Sequence, residues 1–164
     1  MSILMNKIPT FKQLLLNPVQ MLAFGFGSGL AKKAPGTMGT LAAVPIYCAL
    51  MALPAAYYLP VLLLVCVAGI WICGQAAKEL GVHDHGGIVW DEIAGYLLTM
   101  YWVDFSWQNV LLGFVLFRLF DILKPWPINW VDRRVGGGFG IMLDDLLAGL
   151  MAAACLYVYM SYIA

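Results

Sequence analysis

The chain has 164 residues, of which 63% are hydrophobic and 11% charged, and nine Lys and Arg balance nine Asp and Glu. A mean hydropathy of +0.86 lies outside the usual range of soluble domains. A formal net charge of zero offers no electrostatic footprint for nucleic acid. The composition therefore excludes an ordinary soluble domain and predicts a single integral-membrane domain over 1–164.

Residues 1–24 carry lysines, prolines and polar side chains before a long apolar core develops. They read as a cytoplasmic or interfacial lead-in, and no cleaved signal peptide is expected. The loop 25–38 and the two residues after it, "GFGSGLAKKAPGTMGT", are glycine-rich. Backbone N–H groups at such a loop and helix start can cradle an anion, with hydroxyls from Ser28, Thr37 and Thr40 in support. The Gly-Lys-Ser/Thr ending of a P-loop is absent. Lys32 and Lys33 read as topology markers and are left outside the predicted site.

Between Lys33 and Lys78 no Asp, Glu, Lys, Arg or His occurs. At about 1.5 Å per helical residue, that run can cross a hydrocarbon core of ~30 Å twice. Helices are predicted near 39–54 and 57–78, with a turn around Pro54. Shorter apolar segments near 88–103 and 108–123 and a last span over 144–163 follow, separated by loops at 79–87 and 124–143. The expected fold is an all-α polytopic bundle with about four to five membrane-embedded helices. Cys48, Cys66, Cys73 and Cys155 lie in apolar segments without zinc-site spacing and read as core packing.

The basic residues Lys32, Lys33, Lys78, Lys124, Arg133 and Arg134 fall at one end of this arrangement, which the positive-inside rule assigns to the cytoplasm. Alternating helix direction brings Glu79, Asp84, Asp91, Glu92, Asp121, Asp132, Asp144 and Asp145 to the same end, while Asp104 falls at the other. Charge gathered at one face predicts a cytoplasmic-face site. "DEIAGYL" at 91–97 and "DDLLAGL" at 144–150 echo each other, and the echo reads as an accidental similarity rather than a repeat.

Three acidic groups stand out: Asp91 with Glu92, Asp121, and Asp144 with Asp145. Carboxylates of like sign drawn together at membrane depth repel unless a cation holds them, and all-oxygen ligation suits Mg²⁺ or Mn²⁺. The paired acids also stand where helix N-caps would stand, so capping and ligation both remain open for them. Asp121 lies at a helix C-terminus, where the dipole disfavours an anion, and needs a cation or a basic partner. In "FRLFDILKPWPI", Arg118 shares a helix face with Asp121, and Lys124 precedes the Pro125 stop. Arg118 and Asp121 form either a structural ion pair or a phosphate fork beside a metal ligand. "VHDHGG" at 82–87 sets His83 and His85 near the acids, where an imidazole can move a proton, ligate metal or bind phosphate, or serve as a loop residue only.

Four of these stretches, "GFGSGLAKKAPGTMGTLAA", "GVHDHGGIVWDEIAG", "FRLFDILKPWPI" and "GGFGIMLDDLLAG", together resemble the phosphatidylglycerophosphatase A family, in family order and covering nearly the whole chain. The resemblance implies an all-helical enzyme of the bacterial inner membrane that hydrolyses phosphatidylglycerophosphate to phosphatidylglycerol and phosphate with Mg²⁺. It carries Asp91, Glu92, Asp121, Asp144, Asp145, Arg118, Lys124, His83 and His85 as matching positions, without assigning which acid holds metal and which acts on water. For a phosphomonoester on a lipid, one or two Mg²⁺ are expected on Glu92, Asp121 and Asp145, with Asp144 available as a further ligand. Asp91, Asp144, His83 and His85 are expected to carry proton transfer or attack, and Arg118, Lys124, Ser28 and Thr37 to bind phosphate. The lipid substrate and the membrane are the expected partners, with no obligate protein partner.

Two other classes use acids in membrane helices. A CDP-alcohol phosphotransferase would carry an Asp-Gly…Ala-Arg…Gly…Asp…Asp spacing, which is missing, and a small ion transporter would line a path through the bilayer with polar residues rather than one end. A lipid phosphatase with a nucleophilic histidine is disfavoured, because no Pro-Ser-Gly-His stretch occurs.

Overall fold

The computed structural model describes residues 8–82 and 85–162, and among these no strand occurs. The elements are α1 (Phe11–Leu16), α2 (Pro18–Ala23), a 3-10 turn (Gly25–Leu30), α3 (Pro35–Met51), α4 (Tyr58–Leu80), α5 (Trp90–Met100), α6 (Trp107–Leu123), α7 (Ile128–Arg134) and α8 (Gly137–Tyr162). The expected all-α class is what the structure shows. Two helical segments, Ala55–Leu80 and Gly137–Tyr162, are long and apolar enough to cross a membrane, fewer than the four to five expected. The shortfall is one of length. At ~1.5 Å per residue, α3 and α6 with 17 residues each fall just short of a full span, and α5 with 11 falls far short.

Local chemistry sets the element ends. Thr10 and Gln13 close a capping box on α1, and Asn17 caps α2 by accepting from the N–H groups of Val19 and Gln20. Asn17 and Gln20 also donate to Glu79 Oε2 at 2.7 and 3.0 Å, strapping the N-terminal helices to the end of α4. Gly81, at φ 70°, ends α4 in the left-handed region. Ser106 caps α6, and Lys124 closes it in the same left-handed conformation just before Pro125.

α8 is the central element, packed against α4, α5, α6 and α7. It begins at Gly137, seven residues before the expected start at 144, so Asp144 and Asp145 lie two turns inside a helix. The glycines that read as a loop are a packing surface: a Cβ on Gly138 would run into the carbonyl oxygen of Ile70 on α4.

α5 and α8 run side by side in the same direction. A Cβ on Gly95 would meet the Asp145 carbonyl oxygen at 2.8 Å, and one on Gly149 would meet the Gly95 carbonyl oxygen at 2.5 Å. The Thr99 hydroxyl donates to both Gly95 and Gly149 carbonyls, at 2.9 and 3.3 Å. The two Ala-Gly pairs of the sequence echo are thus the crossing point of these helices. Because the acids stand about one turn before each glycine, one packing register brings Asp91 and Glu92 to the same level as Asp144 and Asp145.

The core around this crossing contains Tyr47, Tyr96, Leu97, Phe117 and Leu156, all fully buried. Facing outward, α6 exposes Leu111, Val115, Leu119 and Ile122, and α4 exposes Leu59, Leu63, Val67 and Trp71. Each set recurs at three- or four-residue intervals, so each forms an apolar stripe along one helix face.

Candidate active site

The acids of α5 and α8 meet those of α6 at one end of the bundle. One oxygen from each of Asp91, Glu92 and Asp145 lies within 4.8 Å of the others, close enough for a single ion to touch all three. Their oxygens Asp91 Oδ1, Glu92 Oε2 and Asp145 Oδ2, and Asp144 Oδ1 beside them, are buried without a hydrogen-bond partner among the described residues. Asp145 is 3% exposed. Capping does not explain Asp144 and Asp145, which are interior to α8, while Asp91 and Glu92 stand in the first turn of α5 behind Val89 at its N-cap.

From α6 come two cations. Arg118 pairs with Asp121 one turn along its own helix and approaches Glu92 at 3.8 Å. Its Nε is buried without a hydrogen-bond acceptor, while its Nη1 faces the Asp121 carboxylate. Asp121 also lies within electrostatic reach of Asp145 and Glu92. Lys124 donates to Asp132 Oδ1 of α7 and Asp144 Oδ2 of α8, both at 2.7 Å. Burial works against its charge, but these two hydrogen bonds and the negative charges behind them prevail and hold its pKa above the ordinary lysine value. The ammonium is therefore a fixed positive charge.

Among the described residues, five carboxylates (Asp91, Glu92, Asp121, Asp144 and Asp145) share this end with Arg118 and Lys124 alone at their centre. Closely spaced buried carboxylates cost several kcal/mol each unless neutralised, by protons or by a cation. A donor set of carboxylate oxygens only, with orphaned lone pairs turned inward, fits a hard divalent ion such as Mg²⁺.

The first turn of α3 closes the site. A Cβ on Gly36 would run into Glu92 Oε1 and lie 3.1 Å from Arg118 Nη1 and Nη2. Glycine is what lets this helix end press against the pair. With proline at the first helical position and no side-chain cap at Ala34, the N–H groups of Gly36 and Thr37 have no intrahelical acceptor and sit at the positive end of a 17-residue helix.

The sequence-predicted residues thus divide. Asp91, Glu92, Arg118, Asp121, Lys124, Asp144 and Asp145 are brought together, and Thr37 stands at their edge. Ser28 is apart, its hydroxyl donating to the Gly25 carbonyl inside the 3-10 turn. His85 is also apart, lining a neighbouring cavity with its Nδ1 accepting from the Gly87 N–H at 3.0 Å. His83 lies outside the described residues. Gly36 and Asp132 were not singled out from sequence. The glycine-rich loop pointed toward Gly36, but nothing in the sequence pointed to Asp132 as the second partner of Lys124. A cavity of about 700 Å³ between α4 and α8 is lined by Trp71, Gln75, Lys78 and Gly138 among others and holds none of these acids.

The family model for phosphatidylglycerophosphatase A matches residues 21–160. The chain belongs to the phosphatidylglycerophosphatase A family. It is 52% identical over 143 residues to the phosphatidylglycerophosphatase A of Escherichia coli K12, covering 86% of this chain and 83% of that one. It is 43% identical over 151 residues to the Haemophilus influenzae phosphatidylglycerophosphatase A, covering 91% and 93%. No solved structure matches. The chain is accordingly a phosphatase, and the span matched to the family contains the whole acidic end from Gly36 to Asp145.

Proposed function

We propose that this enzyme hydrolyses the terminal phosphomonoester of phosphatidylglycerophosphate, giving phosphatidylglycerol and phosphate, at the cytoplasmic face of the bacterial inner membrane. The observation that carries the reading is the meeting of buried, unpartnered carboxylate oxygens with an arginine whose buried Nε–H lacks an acceptor. Acids without donors call for a cation, and a buried arginine N–H without an acceptor calls for an anion. A phosphomonoester bound with Mg²⁺ supplies both.

Asp91, Glu92 and Asp145 would hold the ion, with Asp121 serving as the partner that orients Arg118. When bound, Mg²⁺ neutralises the phosphate dianion and polarises its phosphorus–oxygen bonds. Arg118 binds an equatorial phosphate oxygen through Nε, and the free N–H groups of Gly36 and Thr37 add two further donors. Asp144 is held through Oδ2 by Lys124, which leaves Oδ1 free to accept a proton from the attacking water. Lys124, tied between Asp132 and Asp144, keeps that carboxylate placed.

In this reading α3, α4, α6 and α8 are embedded in the bilayer with α5 enclosed among them, and the apolar stripes of α4 and α6 face lipid. Lys32, Lys33, Lys78, Arg133 and Arg134 are exposed or flank the acidic end, in keeping with a cytoplasmic orientation. Trp126, 77% exposed, and Trp130 stand where headgroups would lie. Such a placement leaves the acyl chains in the bilayer while the phosphate reaches the helix ends.

The test is phosphate release from phosphatidylglycerophosphate in detergent micelles, with EDTA and with Mg²⁺ restored. Release that stops in EDTA and returns with Mg²⁺ is expected. Undiminished release in EDTA would remove the metal from the account, and no release under any condition would remove the substrate.

A further inference from the structure

Beside the acidic cluster lies a second cavity of about 330 Å³ with opposite chemistry, lined by Gly29, Lys32, Pro35, His85 and Gly87 among others. Its floor is backbone: a Cβ on Gly29 would run into the Gly87 carbonyl oxygen, and one on Gly87 would meet the Phe24 ring at 2.5 Å and the Gly29 oxygen at 3.0 Å. Two loops pressed together by glycine leave the space above them for a ligand.

Two side-chain donors, Lys32 and His85, stand in its lining beside Ile8, Ala31 and Pro35. His85 accepts the Gly87 N–H on Nδ1 at 3.0 Å, which leaves the ring proton on Nε2, and the Phe24 ring 5.7 Å away holds the imidazole plane. Lys32, exposed at the rim, supplies a positive charge. Pro35, on the shared wall, is followed directly by Gly36, the residue pressed against Glu92 and Arg118. The cavity therefore adjoins the α3 helix start that touches Glu92 and Arg118.

We infer that this cavity holds the phosphodiester of the lipid substrate, so that Lys32 and His85 read the second, unreacting phosphate. The inference rests on the phosphatidylglycerophosphate reading above. That lipid carries two phosphates joined through one glycerol, and a site that grips only the terminal phosphate would treat any lipid phosphomonoester alike. A donor-lined cavity adjoining an acidic one matches this pairing: the monoester goes to Arg118 and the carboxylates, the diester to a lysine and an imidazole N–H. Binding energy from the unreacting phosphate then separates this substrate from phosphatidic acid, which has a monoester and no diester.

The experiment uses the full-length enzyme in mixed micelles, comparing wild type with Lys32→Ala, an exposed position whose truncation leaves packing intact. Three inhibitors of phosphatidylglycerophosphate hydrolysis are titrated: phosphatidylglycerol, which has only the diester, phosphatidic acid, which has only the monoester, and inorganic phosphate. Loss of a charged contact is expected to raise KM for the substrate and Ki for phosphatidylglycerol about tenfold. The value of kcat stays within about twofold, and Ki for phosphatidic acid and for inorganic phosphate is unchanged. Lys32→Arg should retain the wild-type values. Equal weakening of phosphatidylglycerol and phosphatidic acid would overturn the inference, as would weakening of inorganic phosphate or no change in any constant. Absence of phosphate release by the wild type would instead defeat the parent reading.

Discussion

Asp145 is the residue on which the site turns: nearly fully buried, grouped with Asp91 and Glu92, and carrying an oxygen without a partner. Asp145→Asn is expected to lower turnover by at least about a hundredfold. A second readout separates ligation from simple polarity. Mg²⁺ binding to the folded state should raise the melting temperature of the wild type, and Asp145→Asn should lose that rise while melting no lower than the wild type in EDTA, since one of several crowded charges has gone. A variant that still gains stability from Mg²⁺ would contradict the assignment. Gly36 tests the opposite wall. Gly36→Ala places a methyl group against Glu92 and Arg118, and activity should fall on the order of a hundredfold with the fold retained, checked by phosphate release and helical circular dichroism. Which residues gather was legible in the sequence, because carboxylates are expensive in an apolar chain and had to share a reason. How they pair was legible in part: Arg118 and Asp121 share the helix face read from their spacing, whereas the closeness of Asp91 to Glu92 and Asp145 depends on the α5–α8 crossing, which no local pattern shows.

Among the elements, the crossing of α5 and α8 aligns the site. Gly149→Ala drives a methyl group toward the Gly95 carbonyl, and overpacking of this kind costs roughly 1–3 kcal/mol, measurable as a lower melting temperature accompanied by reduced activity. Thr99→Val, which removes a hydroxyl bonded to both carbonyls, should be milder in stability and leave the helices in contact. A Gly149→Ala protein that melts and turns over like the wild type would show that the close approach is dispensable. The end of α6 was legible from Lys124 and Pro125, and the bounds of α4 and α6 fall within two residues of those expected. The start of α8 was not, because the glycine run before Asp144 reads as a breaker when its neighbours are unknown. In the fold those glycines serve tertiary approach to α4, and Gly138 has no room for a side chain. The short helices α1, α2 and α7 lie in stretches too brief for apolar periodicity to show.

For the molecule as a whole, the distribution of charge defines the account. The acidic site and most exposed basic residues share one end, and Asp104 is exposed at the other. Asp104→Asn should keep activity within about twofold, and a severe loss in phosphate release would mean that the wrong end had been taken as the site. Single cysteines substituted for Arg133 and for Asp104 should react with a membrane-impermeant thiol reagent from opposite sides of the membrane, Arg133→Cys from the cytoplasmic side. Labelling of both from one side would undo the proposed topology. The all-α class and the long apolar helices were legible because they follow from composition. The number of helices long enough to cross was not, since α5 has 11 residues and is apolar largely for burial within the protein. The claim beneath all of this is that Asp91, Glu92 and Asp145 together hold one divalent ion. Electron paramagnetic resonance titration of Mn²⁺ into the wild type and Asp145→Asn tests it directly. Saturable binding that is competed by Mg²⁺ and lost in the variant is the predicted result, and equal binding by both proteins would contradict it.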